Sequence, residues 1–127
     1  MAIRTELILR LQNTPGAAAK VCAFLSDERV NILAFQVESV GILRVLVDNP
    51  LHAALLLREQ RMQVEERDVL YTTVPNSPGA LGTLARMLAD AKVNIEYLYC
   101  TAVEGHPMAA VVVGVPDAQK ASLASGI

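Results

Sequence analysis

Tryptophan is absent from this chain of 127 residues, and aromatic residues amount to only 4%. Any core is therefore aliphatic, drawn from the Leu, Val, Ile and Ala that dominate a hydrophobic fraction of 53%. Excess charge is lacking as well: the formal net charge is −2. No stretch gathers Lys and Arg into the basic face that a nucleic acid requires. Nor does any apolar run approach the roughly 18 residues of a membrane span. The opening residues, Met1 to Arg10, are broken by Arg4, Glu6 and Arg10 and do not read as a secretory signal. Only Cys22 and Cys100 are present, far apart and outside any CxxC. That excludes a disulfide framework and reads as two buried thiols in a reducing compartment, the cytoplasm.

Catalytic signatures are also missing. The chain has no Gly-x-Ser-x-Gly elbow, no phosphate loop ending in Lys-Ser/Thr and no paired His spacing. Ser26, Ser39, Ser77 and Ser122 have no His nearby to act as base. His52 and His106 read as solvated, and Asp27 and Asp90 as polar helix exits. The expectation is a protein that is not an enzyme and holds no metal or cofactor.

What the chain does have is a repeated corner. Asn76-Ser77-Pro78-Gly79-Ala80-Leu81 follows a strand-like run and opens a helix-like one, and Asn13-Thr14-Pro15-Gly16-Ala17-Ala18 does the same upstream. Laid without a gap, residues 13–35 and 76–98 agree at nine of 23 positions, including Asp, Val, Asn and Ile at the far end. This is an internal duplication. Around the first corner, Thr5 to Gln12 alternates as a half-buried strand, with Leu7, Leu9 and Leu11 inward and Glu6, Arg10 and Gln12 outward. Ala17 to Ser26 is helical, with Val21, Phe24 and Leu25 on one face. Asn13 or Thr14 is placed to cap that helix, and Pro15 suits its first turn. Strands follow over Val30–Val40 and Ile42–Val47. Asp48-Asn49-Pro50 then starts a helix to Gln60, and Met62–Glu66 is a short strand.

The order begins again with a strand over Asp68–Val74. A helix over Ala80–Ala89 carries Leu81, Leu84 and Leu88 on one face. Strands over Ile95–Val103 and Met108–Val115 and a helix from Ala118 complete it. The second copy lacks its last strand, so the edge of Asp68–Val74 is expected to need cover from another chain or from the end of this one.

A strand–helix–strand–strand–helix–strand unit of this size is a ferredoxin-like α+β fold, an antiparallel sheet with helices on one face. Two such units, expected at residues 1–66 and 67–127, each with an Asn-x-Pro-Gly-Ala corner and a closing Val-Asn-Ile, resemble the ACT domain family. More closely, the chain is similar to small free-standing bacterial proteins made of two ACT domains. The resemblance covers Thr5 to about Lys120. It implies allosteric regulation: a small effector, most often an amino acid, is bound where two ACT units meet, and its presence is conveyed to a partner. The implied contacts are Asn76, Ser77, Pro78, Gly79, Ala80 and Leu81, with Asn13, Pro15, Gly16, Ala17 and Ala18 in the first copy. Asn31 and Ile32, with Asn94 and Ile95, would begin the second strands beside the ligand. The physical reading agrees, because a helix N-terminus suits an α-carboxylate and an Asn oxygen can accept from an α-ammonium. Family members often carry Asp where Asn13 and Asn76 stand, so this chain lacks that charge.

The implied partners are a small-molecule amino acid, a second copy in a homodimer, and an enzyme of amino-acid metabolism, with neither nucleic acid nor membrane. Other readings weigh less. The corners could serve structure alone, and Tyr97 and Tyr99 could be interface or core rather than pocket lining. Gly79-Ala80-Leu81-Gly82 matches an RNA-clamping GxxG but lacks basic flanks. A regulatory subunit acting on an enzyme such as acetolactate synthase without its own ligand is the main alternative. An open-face enzyme would have to use Glu6, Arg10, Gln12 and Arg44, which form no acid–base pair.

Overall fold

The computed structural model describes residues 3–12 and 14–127. The strands are β1 (Ile3–Arg10), β2 (Ile32–Val37), β3 (Ile42–Val47), β4 (Val64–Pro75), β5 (Tyr97–Ala102) and β6 (Met108–Gly114). The helices are α1 (Ala17–Asp27), α2 (Pro50–Glu59), α3 (Ala80–Asp90) and α4 (Ala118–Ser125). The chain divides into two compact units, Thr5–Arg67 and Met1–Arg4 with Asp68–Ile127.

In the N-terminal unit β3 lies between β2 and β1, antiparallel to both. Leu7 pairs with Val45 and Leu9 with Leu43, so alternate apolar residues of neighbouring strands meet on one face. Onto that face α1 lays Val21 and Leu25, and α2 lays Ala53, Ala54 and Leu57, all buried. The helix expected after Asp48 begins as the sequence indicates: the Asn49 side chain accepts from His52 N at 3.3 Å and Pro50 takes the first turn. Glu6, expected on a solvated face, is instead fully buried. Alternation assigns a side to a residue but does not say whether that side is covered. Arg44 bonds Gln36 at 3.0 Å and pairs with Glu38 at 2.9 Å.

The C-terminal unit repeats the plan with β6 between β4 and β5. Leu70, Leu84, Leu88, Val111, Val113 and Val115 form its core with Ala118 and Ala121 of α4. Leu81, expected to share the face of Leu84 and Leu88, is 40% exposed. The expected strands 62–66 and 68–74 are one continuous strand, β4. The charged run Glu65-Glu66-Arg67-Asp68 resembles a linker, yet it contains no Gly, Pro or Asn to turn the chain. The edge expected to be bare beside residues 68–74 has Ile3 and Arg4 of β1 beside it. Ile3 packs on this unit's core, and the Arg4 guanidinium lies 5.4 Å from the centre of the Tyr71 ring. Cys22 is half-buried but Cys100 is exposed, against the expectation of two buried thiols. Cys100 stands on β5, an end strand whose last residues, Cys100 to Ala102, are uncovered.

Candidate functional site

The two Pro-Gly corners are built alike. Ala17 N donates to Thr14 O and Ala80 N to Ser77 O, each at 3.2 Å. Gly16 and Gly79 have φ of 88° and 87° with ψ near zero. These are type II turns, with Pro at the second position and Gly at the third, where positive φ is required. The prolines therefore stand before the helices and not in their first turns. Gly16 and Gly79 take the cap positions, accepting from Lys20 N and Thr83 N at 3.0 Å. Among the described residues no side chain caps either helix, so Thr14 is not the expected cap, and Asn13 lies outside the described residues. The contrast with α2 and α4 is direct. Those helices carry Asn49 and Asp117, whose side chains accept from His52 N and Lys120 N.

The second corner opens onto a cavity of about 560 Å³, within the range of small-molecule sites. Its walls come from one unit. Thr72, Thr73, Val74 and Pro75 end β4; Ser77, Pro78, Gly79 and Ala80 form the corner; Thr83, Leu84 and Met87 follow on α3; Gly126 and Ile127 close it after α4. Ala80, Thr83, Leu84 and Met87 fall at i, i+3, i+4 and i+7, so one helix face supplies that wall. Thr83 Oγ1 donates to Gly79 O at 3.1 Å. Among the described residues, no side chain with a formal charge lines the cavity.

Of the expected contacts, Ser77, Pro78, Gly79 and Ala80 line this cavity, while Asn76 and Leu81 do not. Asn76 serves instead as a tether between the corner and the β5–β6 loop. Its Nδ2 donates to Val103 O at 3.0 Å and His106 O at 2.9 Å, and its N–H donates to Pro107 O. An Asp carboxylate could not donate to those carbonyls, which accounts for an amide here. Asn76→Asp is expected to cost about 1–2 kcal/mol for two exposed bonds, read by urea unfolding; a loss below about 0.3 kcal/mol would remove the tether's importance.

Asn94 and Ile95 precede β5 rather than begin it, and Asn94 lines a separate hollow with Lys92, Asp117 and Lys120. Asn31 precedes β2 and Ile32 begins it, and both line a shallow hollow with Cys22 and Arg29. Pro15 and Gly16 are exposed, and Ala17 and Ala18 are half-buried. Tyr97 and Tyr99 stack nearly parallel, 6.4 Å between centres, and do not line the cavity at the corner. Sequence reasoning missed Thr83, Leu84 and Met87, although the helical period from Ala80 points to them. It also missed Thr72 and Val74, which share the strand face of Leu70. Gly126 and Ile127 had no sequence signal.

Among the described residues no group of His, Cys, Asp and Glu is placed to hold a metal, and no helix is long and apolar enough to cross a membrane. The family model described as an ACT domain pair matches residues 1–122. No curated protein matches the chain significantly. Among solved structures, a protein of Bacteroides thetaiotaomicron is 29% identical, with a TM-score of 0.84, covering 97% of this chain and 86% of that one. The regulatory subunit of aspartate kinase from Thermus flavus is 17% identical, with a TM-score of 0.68, covering 99% and 92%. Aspartokinase III of E. coli, solved in complex with lysine and aspartate, is 16% identical, with a TM-score of 0.61, covering 99% of this chain and 31% of that one.

Proposed function

Because the chain belongs to the ACT domain pair family, we propose that it is a non-catalytic regulatory protein that binds a free amino acid against the start of α3. The observation that carries this reading is the uncapped helix start facing a cavity. The partial positive charge of about half a unit there suits an α-carboxylate, as do the N–H groups of that turn other than Ala80 N, which Ser77 O already holds. Binding would act by population shift, favouring whichever arrangement of the protein holds the ligand better. A thermal-unfolding panel of the twenty amino acids at millimolar concentration tests it. At 100 times Kd a bound effector adds about 2.7 kcal/mol, a rise in Tm of several degrees. No response to any amino acid would favour the alternative, a regulatory subunit that acts on its enzyme through protein contacts alone.

A homodimer is part of the proposal. On β2, an end strand, Leu33, Phe35 and Val37 alternate and are all exposed. Phe35 and Val37 pair with the core residues Val45 and Leu43, so they extend the core face beyond the helices. A long apolar edge of this kind invites strand pairing, and a second copy supplies the same strand. Phe35→Lys is expected to halve the mass seen by light scattering; a wild-type protein already monomeric at tens of micromolar would end the dimer proposal.

A further inference from the structure

We infer that the cavity at the α3 corner selects an amino acid with an uncharged, apolar side chain, such as leucine or methionine, over lysine or aspartate. This rests on the amino-acid-binding reading above and adds the class of ligand. The wall explains the selection. Val74, Leu84, Met87 and Ile127 present hydrocarbon and thioether surface, and Thr72, Ser77 and Thr83 present hydroxyls. The charged residues of α3, Arg86 and Asp90, are exposed and do not line it. An ammonium or carboxylate on the ligand side chain finds no charged side chain in the wall to meet it, whereas an aliphatic chain gains by covering the hydrocarbon of the wall.

The two ends of the site differ in what they can accept. The start of α3 has no side-chain cap and carries a partial positive charge, which suits the α-carboxylate, with Ala80 N itself held by Ser77 O. Thr83 spends its hydroxyl proton on Gly79 O, so toward a ligand its oxygen acts as an acceptor, which suits the α-ammonium. With both main-chain groups held near Gly79 and Thr83, the ligand side chain points along the helix toward Leu84 and Met87, one turn on. Met87 is therefore the specificity-determining residue. Its flexible thioether fills irregular apolar space, so ligands of slightly different shape fit.

Isothermal titration of the full chain with leucine, methionine, lysine and aspartate tests this, alongside Met87→Glu. Met87 is 41% exposed, so the variant should fold, which its ligand-free unfolding midpoint checks. Thr83→Val, which removes the acceptor but keeps the shape, is the second variant. Leucine and methionine should bind, with lysine and aspartate weaker by about tenfold or more. Met87→Glu should weaken leucine about tenfold and narrow its lead over lysine, and Thr83→Val should weaken every ligand alike. Lysine or aspartate binding as tightly as leucine, with both variants still impaired, overturns the apolar preference but leaves an amino-acid site here. Leucine binding that neither variant alters overturns the location. Failure of all four ligands to bind overturns the selection and counts against the amino-acid reading as well.

Discussion

Replacing Gly41 by alanine should destabilise the N-terminal unit by about 3 kcal/mol, the sum of two separable costs. Gly41 has a φ of +85°, a conformation that strains any residue with a Cβ. The added carbon would also fall on the carbonyl oxygen of Leu11. That backbone cannot yield freely, because Leu11 N donates to Gly41 O at 2.7 Å and Gly41 N to Glu38 O at 3.0 Å. Gly105 supplies the control. It occupies the corresponding turn of the C-terminal unit at a φ of +84°, but an added Cβ there meets nothing within 4 Å. Gly105→Ala should therefore show strain alone, about 1 kcal/mol. Urea unfolding of the two variants measures the difference, and equal losses would remove the Leu11 contact from the account.

The second large effect lies in the cores. Leu25 on α1 and Leu88 on α3 occupy matching places in the duplication, and each is fully buried. Truncating either to alanine should cost about 3 kcal/mol, from lost burial and the cavity left behind. The consequences for binding should differ. Leu88 packs in the same core as Leu84, which lines the proposed ligand cavity, so Leu88→Ala should also blunt the thermal response to leucine. Leu25→Ala, packed in the other core, should leave that response intact. Chemical unfolding with and without ligand separates the two. A Leu88→Ala loss below about 1 kcal/mol would mean the core collapses around the gap.

Much of this was legible in the residues. Strand alternation located Leu7 and Leu9, and helical spacing located Val21, Leu25, Leu84 and Leu88, because burial of an apolar face imposes the period of its element. The Pro-Gly corners were legible because only Gly readily takes the third position of a type II turn. The differences have separate causes. Glu6 is expected in solvent because periodicity distinguishes the two sides of a strand and says nothing of what lies over each, and Cys100 is expected inside because isolated thiols are most often buried, which says nothing of its place on an end strand. The strands expected over 62–66 and 68–74 run on as one, because a charged stretch without turn residues can stay extended. The hydrogen bonds of the Asn76 side chain to Val103 O and His106 O are not legible in the sequence, because those partners lie far along the chain.

The sequence by itself determined the duplication, the order of elements, the aliphatic cores and the two corners, all consequences of local stereochemistry and of short-range periodicity. Only the tertiary structure decided which corner residues border a cavity, that no charged side chain among the described residues lines it, and that Ile3 and Arg4 belong with residues 68–127. The physical reason is that a cavity wall and a covered edge are made by residues distant in sequence. Thr72, Thr83 and Ile127 meet through packing, which no local pattern encodes.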